Sequence, residues 1–470
     1  MGPQKKGFEL DKEACDSLRG ISSRFVDFTM DYTCFFNAYR RNVSPHARNY
    51  LAGLLMKAPR KNMERICEIV EGGQYANYQH FISDSRWDYI ALKEQIAHDA
   101  NELLGGENAV LCLDESGFTK KGKKSVGVSR QYNGRLGKVD NCQVGVFASL
   151  CNGVDRSNIV DFRLFLPDEW VSDPERCAEA GVPEEQVTKK TKLEHAYDMV
   201  ADAVRRGLDF QWISADAFYG RDLDLVNKLD DLGKNFTVDV PVNFSVYLED
   251  PKPYLPRRRN NTGRKFTRLR ARTNSSPVSA LFNRIEEHDW KTITVRETTR
   301  GNLRLLAHAQ RVYTWDGIEK QARQCWIAFT YDPITKERKQ ILCNADISTD
   351  LSVIVRKHAC RFWIERAFQD GKTSIGMADY QVRGWLGWHH HMTMVMMASL
   401  FMVKERLLNH KTVNLLSCQD IVDLLSYYLP RKDLTEEGVF RNLQKRHEQR
   451  RQAIESAKRQ QKLREAKVPK

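Results

Sequence analysis

Apolar side chains recur at intervals of three and four through the first hundred residues. The segments NYLAGLLMKAPRKNMERICEIV, from Asn49, and WDYIALKEQIAHDANELL, from Trp87, show this spacing most clearly. It places the apolar positions on one face of a helix, so residues 1–105 are predicted to form a helical region. No run of alternating apolar and polar residues interrupts it.

The pattern changes at Ala109. AVLCLDESG is an apolar strand that ends in acids, NCQVGVFASLC is another strand, and Asn133-Gly134 between them is typical of a hairpin turn. IVDFRLFLP, the helix EHAYDMVADAVRRG and the short strand FQWISADAFYG follow. Antiparallel strands followed by a strand–helix–strand crossover predict an α/β core with a mixed sheet over residues 106–244.

Three prolines, Pro251, Pro253 and Pro256, then break the pattern. The apolar runs TITVRETT, LRLLAHAQRVYTW and QCWIAFTYD predict a β-rich insertion over residues 245–350. Helical periodicity returns over 351–430, which we expect to complete the core. Residues 431–470 are strongly basic and are expected to form a C-terminal helix or tail.

Charge and hydropathy narrow the class of protein. The 470 residues carry 74 Lys and Arg against 61 Asp and Glu, a net charge of +13, which points to a polyanionic partner, nucleic acid before membrane. The longest apolar run, residues 392–403, is shorter than the roughly 18–20 residues that span a bilayer. The N-terminus lacks the apolar segment of a signal peptide, and the eleven cysteines include no C-x-x-C pair. We expect a soluble, cytoplasmic protein with reduced thiols.

Three acids occupy positions that suit metal chemistry. Asp114 and Asp216 each end an apolar strand, and Glu365 lies in the helix RFWIERAF. Carboxylates gathered near a core repel one another unless a cation binds them, and Mg²⁺ prefers carboxylate oxygens. Two such ions can assist displacement at a phosphodiester. A capping or turn role is the alternative for any of these acids taken alone.

The helix around Glu365 presents cations on the same face. Arg361, Glu365 and Lys372 are spaced i, i+4 and i+11, which aligns them at about 100° per residue. This face could grip a phosphate backbone. The alternative is a simple ion pair on a solvated helix.

Further phosphate contacts are predicted in two basic stretches. Residues 257–272 contain no acid and could be either a solvated loop or a line of phosphate contacts. The candidates are Arg257, Arg258, Arg259, Arg264, Lys265, Arg268, Arg270 and Arg272, together with Lys120, Lys121, Lys123 and Lys124.

The block LDESGFTKKGKKSVGVSRQYNGRLGKVDNCQVGVF, the block ISADAFYG and the motif Arg361-x3-Glu365-x6-Lys372 together resemble bacterial DDE transposases of the insertion-sequence-701 type, relatives of the insertion-sequence-4 group. The resemblance covers about residues 50–450. It implies a ribonuclease-H-like mixed sheet with a β-rich insertion, flanked by helical N- and C-terminal regions. It also implies that Asp114, Asp216 and Glu365 bind two Mg²⁺ ions, for which Mn²⁺ could substitute.

The resemblance extends to the partners. It implies double-stranded DNA as substrate, both terminal inverted repeats and target, a homodimer in the synaptic complex, and a nucleoid-associated bacterial enzyme without membrane contact. Arg361 and Lys372 would hold the DNA backbone, whereas His358 stands where relatives have tyrosine and is expected to make a changed phosphate contact. Trp290, Trp315 and Trp326 are candidates to stack on a flipped base, although each could equally belong to the core.

The run His389–His391 could suggest a metal site. Consecutive residues point in different directions on a helix, so a structural role is the better interpretation. The neighbouring segment MTMVMMASLFM is expected to be helix core.

The predicted function is a cut-and-paste DNA transposase. Two alternatives stay open: a domesticated, noncatalytic DNA-binding regulator with the same fold, and a cellular nuclease that cuts without strand transfer.

Overall fold

The computed structural model of the chain describes residues 10–256, 266–298, 301–433 and 435–465. Over the described residues up to 105 it is helical, as the periodicity predicts, with α1 (Lys12–Arg19), α2 (Ile21–Asp31), α3 (Ser44–Leu55), α4 (Met63–Ile69), α5 (Tyr75–Ser83) and α6 (Tyr89–Leu104). A short hairpin of β1 (Asn37–Ala38) and β2 (Arg41–Asn42) interrupts the helices. The periodicity did not predict it, because strands of two residues are too short to show alternation.

A mixed sheet follows and forms the centre of the molecule. Its first strands are β3 (Val110–Thr119), β4 (Ser129–Asn133), β5 (Lys138–Cys151), β6 (Ser157–Leu164), β7 (Trp212–Ala215) and β8 (Asn235–Asp239). β3 pairs antiparallel with β5 and parallel with β7, which in turn pairs parallel with β8. The predicted α/β class with a mixed, ribonuclease-H-like sheet is confirmed. β3 runs on past its acids, because β5 pairs with it along its whole length.

The strands of the predicted insertion continue this sheet. They are β9 (Ser245–Val246), β10 (Ser276–Pro277), β11 (Lys291–Thr298), β12 (Gly301–Thr314), β13 (Arg323–Tyr331) and β14 (Arg338–Cys343). β9 and β10 pair only with each other as a two-stranded sheet, whereas β11 to β14 form a meander whose last strand pairs with β8. Over the described residues the strand order is β11-β12-β13-β14-β8-β7-β3-β5-β4, with β6 also on β5.

Helices pack on both sides of the sheet. They are α7 (Asp168–Val171), α8 (Pro174–Glu179), α9 (Lys192–Arg205), α10 (Ala217–Gly220), α11 (Leu223–Asp231), α12 (Val278–Phe282), α13 (Leu351–Ala359), α14 (Phe362–Ser374), α15 (Trp385–Leu408), α16 (Cys418–Tyr428) and α17 (Glu436–Glu465). Among the residues described, no helix combines the length and apolar character needed to cross a membrane.

α15 joins the N-terminal helices to the sheet. It packs against α3, α5, α6 and β6, and most of its side chains are buried. The ring of His390 stacks on Trp87 with centroids 3.9 Å apart, and the Tyr50 hydroxyl lies 2.9 Å from His391 Nδ1. The histidines and methionines of this helix therefore belong to one hydrophobic core that the N-terminal helices share with the sheet.

Candidate active site

Asp114 and Asp216 lie side by side at one edge of the parallel part of the sheet. Leu113 of β3 pairs with Ala215 of β7, so the next residue of each strand is one of the two acids. The Asp216 carboxylate also caps α10, where its Oδ1 accepts a hydrogen bond from the Phe218 amide at 2.9 Å. The structure thus brings together the first two acids of the predicted triad.

The surroundings of the two carboxylates disfavour their ionised forms. Burial raises the pKa of Asp114 to about 7, and the charge of Asp216 adds to the rise while Arg361 opposes it. Burial also raises the pKa of Asp216. Paired acids with too little positive charge around them are stabilised by a bound cation. The donor set at this edge of the sheet therefore fits a divalent metal ion.

Glu365, the third acid, stands apart from the other two. It lies in the first turn of α14, its side chain is 49% exposed, and its Oε1 lies 2.8 Å from Arg361 Nη1. Its charge contributes only weakly to the raised pKa of Asp114. Within the described ranges, no three His, Cys, Asp or Glu side chains are grouped closely enough to hold a metal ion. The structure therefore pairs Glu365 with an arginine and does not group it with the two aspartates as a third ligand.

Arg361 lies among the acids. Besides the contact with Glu365, its Nε is 3.6 Å from Asp239 Oδ2, and that Nε makes no hydrogen bond to any residue the structure describes. Arg361 also acts on the pKa of both strand-end aspartates. Its guanidinium thus neutralises part of the negative charge of the site.

A fourth acid was missed from the sequence. Asp239 ends β8, the parallel strand next to β7, and its Oδ1 lies 2.7 Å from His358 Nε2. Although burial opposes the effect, His358 and Arg361 lower the pKa of Asp239. The signal was present in NFTVDVPV, where an acid ends an apolar strand just as Asp114 and Asp216 do.

His358 is not placed for the phosphate contact expected of it. Its side chain is only 7% exposed, and its Nε2 contacts Asp239 Oδ1. Lys372 lies further along α14, where its Nζ donates a hydrogen bond to Ser116 Oγ at 2.7 Å. Ser116 is two residues beyond Asp114 on β3, so Lys372 lies over the same face of that strand as the acid.

The candidate DNA contacts occupy two places. Lys120, Lys121, Lys123 and Lys124 lie in the loop after β3, in the wall of a cavity of about 1160 Å³. In the second stretch Arg268, Arg270 and Arg272 are exposed. The remaining candidates, Arg257, Arg258, Arg259, Arg264 and Lys265, lie outside the described residues.

The three candidate tryptophans all make packing or backbone contacts. Trp290 packs edge-on against Phe282, while the indole N–H groups of Trp315 and Trp326 donate to the carbonyl oxygens of Glu319 and Asp346.

None of these tryptophans is among the residues that line the cavity of about 340 Å³ beside Glu365. That cavity is lined instead by Phe362, whose ring centre lies 4.0 Å from the Arg296 guanidinium.

Two comparisons with known proteins bear on the family of the chain. Residues 32–302 match the family model of the DDE superfamily endonucleases, a span that includes Asp114 and Asp216 but ends before Glu365. Over 228 residues the chain is 30% identical to a probable transposase of insertion sequence element IS701 from Microchaete diplosiphon. That alignment covers 47% of this chain and 56% of the relative, so the chain spans about half the length of the protein it matches. Because the family match covers more than half of its residues, the chain belongs to the DDE superfamily of endonucleases.

Proposed function

We propose that the protein is a DNA transposase that binds terminal inverted repeats, cleaves the transposon ends and joins the freed 3′-hydroxyls to target DNA. The observation that carries this proposal is the pair Asp114 and Asp216, adjacent where the parallel pairing of β3 with β7 ends and short of compensating positive charge. The IS701 relative supports the same conclusion. Such an enzyme would act on DNA at the bacterial nucleoid.

Asp114 and Asp216 would hold two Mg²⁺ ions, with Glu365 as a third ligand. Bound divalent ions supply charge stabilisation of the attacking and leaving oxygens of a phosphodiester. The chain holds the two aspartates adjacent through the paired strands, and the bound ions would favour their ionised forms. The metal requirement itself is part of the proposal.

Glu365 can join the aspartates only after it leaves Arg361. The Glu365 side chain is 49% exposed but that of Arg361 only 16%, so the pair would separate at low cost only where another anion replaces Glu365 at the guanidinium. Arg361 Nη1, the nitrogen that holds Glu365, would then bind a DNA phosphate in a charge-assisted contact while Nε stays beside Asp239. DNA binding and completion of the acidic site would therefore be linked through this one arginine.

The basic surfaces would bind the DNA backbone. The loop lysines, Arg268, Arg270, Arg272 and the candidates of 257–265 would each neutralise phosphates, so affinity should fall steeply as salt rises. We further propose that the protein acts as a homodimer in the synaptic complex, because two transposon ends must be brought together.

The helical N-terminal region is the proposed reader of the inverted repeats. Its helices share a core with α15, so deletion of residues 1–100 would expose buried side chains of the sheet side as well. Substitution of exposed side chains such as Arg40, Arg41 and Arg48 is the better test. Loss of end-specific binding with nonspecific binding retained would support this role.

The direct test is to incubate the purified full-length protein and Mg²⁺ with DNA from the flanks of its own element. We expect cuts at the element ends and joined products, mapped by sequencing, and neither with Asp114→Asn or Asp216→Asn. Nicked products without joining would favour the nuclease alternative. Cleavage by either variant at the wild-type rate would remove that aspartate from the site.

The structure also offers an observation in favour of the noncatalytic regulator. Glu365 is paired with Arg361, and the described residues contain no assembled three-ligand site. Tight, end-specific binding without cleavage in Mg²⁺ or Mn²⁺ would establish that function instead.

A further inference from the structure

A large basic groove opens between two of the N-terminal helices and the loop that follows β3. The cavity of about 1160 Å³ lies between α4 and α5 on one side and the loop after β3 with the segment 378–384 on the other. Six cations line it: Arg60, Lys120, Lys121, Lys123, Lys124 and Arg383. None of them forms an ion pair with a carboxylate in the part of the chain that the structure describes.

The acid in the lining, Asp379, is already engaged. Its Oδ2 accepts a hydrogen bond from the Lys61 amide at 2.8 Å. Six cations with so little opposing charge create a strongly positive concave surface. Such a surface concentrates a polyanion rather than a neutral ligand.

Lys120 shows the lack of counter-charge most directly. Its Nζ lies 3.4 Å from the centre of the Tyr380 ring and 3.4 Å from the Tyr380 carbonyl oxygen. Burial lowers the pKa of Lys120 to about 7, with no carboxylate acting against the shift. A phosphate in the groove would supply the missing negative charge and keep this lysine protonated.

The loop that carries the lysines is held in shape. Asn141 Nδ2 donates to the carbonyl oxygens of Lys120 and Gly122 at 2.5 and 3.0 Å. Arg176 Nη2 donates to the Lys123 carbonyl oxygen at 2.9 Å. Because these bonds fix the backbone in advance, a ligand meets a preformed wall and less conformational entropy is lost on binding.

The groove and the acidic site lie along the same strand. Side chains alternate along a strand, so Asp114, Ser116 and Phe118 share one face of β3, and Lys120 follows directly after the strand ends. Six residues at about 3.3 Å each place Lys120 roughly 20 Å from Asp114.

Contacts connect the two ends of this path. Lys372 donates to Ser116 and its Nζ is 5.4 Å from the centre of the Phe118 ring. Phe118 packs edge-on against Tyr380 at 5.8 Å, and Tyr380 carries Lys120 over its ring. Lys372 and Lys120 thus lie along one path of contacts from the acidic site to the groove.

We propose that this groove holds the sugar-phosphate backbone of one strand of the substrate duplex, about six base pairs from the phosphodiester that is cut. The inference rests on the proposed function and adds a second anchor point to it. At a rise of about 3.4 Å per base pair, 20 Å corresponds to six pairs. The six base pairs lie either in the transposon end or in the DNA that flanks it, and both present the same phosphates.

The first test measures DNA affinity against salt with a 40-base-pair duplex from an element end. The triple variant Lys121→Gln, Lys123→Gln, Lys124→Gln changes exposed side chains and leaves the buried contacts of the loop intact. Each lost phosphate contact lowers the slope of log K against log salt by about 0.9, so we expect a decrease of about 2.7.

The matched control removes three surface lysines that pair with acids away from the groove: Lys57→Gln, Lys189→Gln, Lys228→Gln. We expect its slope to fall by less than about one. Equal slopes for the wild type and the groove variant would overturn the inference.

The second test locates the contact on the DNA. Neutral methylphosphonates are placed five to seven, or twelve to fourteen, positions from the mapped cut, on either side of it. Wild-type binding should weaken only when the methylphosphonates stand five to seven positions from the cut, and only on one side of it. That side tells whether the groove contacts the transposon end or the flanking DNA. The groove variant should be insensitive there.

The two proposals fail in different ways. A wild-type protein that neither binds nor cuts the duplex refutes the transposase function and this inference with it. A wild-type protein that cuts the DNA while the groove variant keeps its slope and its sensitivity at positions five to seven refutes the groove alone.

Discussion

His358 and Asp239 form a buried pair, with Nε2 and Oδ1 2.7 Å apart, beside the end of the parallel strands. Related motifs carry tyrosine at the position of His358, where this chain has an imidazole buried against Asp239. We therefore expect His358→Tyr to destabilise the protein by about 1–3 kcal/mol through the loss of the Asp239 contact, which leaves a buried carboxylate without its partner. Urea denaturation measures the change.

The control for this variant is His358→Gln, which can still donate to Asp239. It should cost less stability than His358→Tyr. If His358→Tyr folds as well as the wild type and binds DNA more tightly, the side chain faces the DNA and the buried pair is wrong.

Asp114→Asn should make the protein more stable and inactive at once. Because the pKa of Asp114 is raised to about 7, its ionised form is disfavoured in the folded state, and stability falls as pH rises from about 4 to 7. The neutral amide avoids this cost, so the free energy of unfolding at pH 8 should be roughly 1–3 kcal/mol higher for the variant than for the wild type. Thermal denaturation of both proteins at pH 5 and pH 8 measures this difference.

The gain should appear at pH 8 and shrink at pH 5. Asp222→Asn is the control for the change from acid to amide, since Asp222 caps α11 and asparagine caps equally well. A gain of the same size in both variants would show that the charge of Asp114 is not the cause.

Glu365→Gln should abolish cleavage with little effect on folding. Arg361 is largely buried, but the amide oxygen of glutamine can still accept its hydrogen bond and Asp239 stays beside the guanidinium, so we expect a stability loss of about 1 kcal/mol. The variant is assayed for end cleavage and for denaturation midpoint.

Asp370→Asn removes the neighbouring i, i+4 pair with Arg366 on the same helix and serves as its control. It should keep cleavage. Normal cleavage by Glu365→Gln would exclude Glu365 from the reaction.

The three buried histidines should make the fold sensitive to acid. Burial lowers the pKa of His389, His390 and His391 to about 3, so between about pH 6.5 and 3 the unfolded chain binds more protons than the folded one. Stability should then fall as pH decreases, by about 1.4 kcal/mol per pH unit for each histidine. Urea denaturation at pH 7, 6 and 5 measures the slope.

His390→Phe keeps an aromatic ring against Trp87 and removes one titrating group. Its stability should depend less on pH, by up to about 1.4 kcal/mol per unit. An unchanged slope would mean that His390 is protonated in the folded state.

Local patterns predicted most of the fold. The helices before residue 105 and the strands around Asp114 carry periodicity over many residues, so their type could be read directly. The hairpin at Asn37–Asn42 is too short for any period. The pairing of β14 with β8 joins residues about a hundred positions apart and leaves no local trace in either strand.

The site was predictable only in part. Asp114 and Asp216 could be paired because each follows an apolar strand, and parallel strands end at the same edge. Asp239 ends an apolar strand in the same way, so its position was also readable from NFTVDVPV. The i, i+4 spacing of Arg361 and Glu365 allowed either an ion pair or a shared phosphate-binding face, and side-chain rotamers, which spacing does not determine, decide between them.

The register of β14 on β8 joins Ile341 to Asp239 in one hydrogen-bonded ladder. Through that ladder, the four-stranded meander is mechanically continuous with the strand that ends beside the carboxylates. A load applied to the meander, for instance by bent DNA pressing on it, would be transmitted as shear to β8 and its neighbours. Movement of the meander relative to β8 would have to shear or break this ladder.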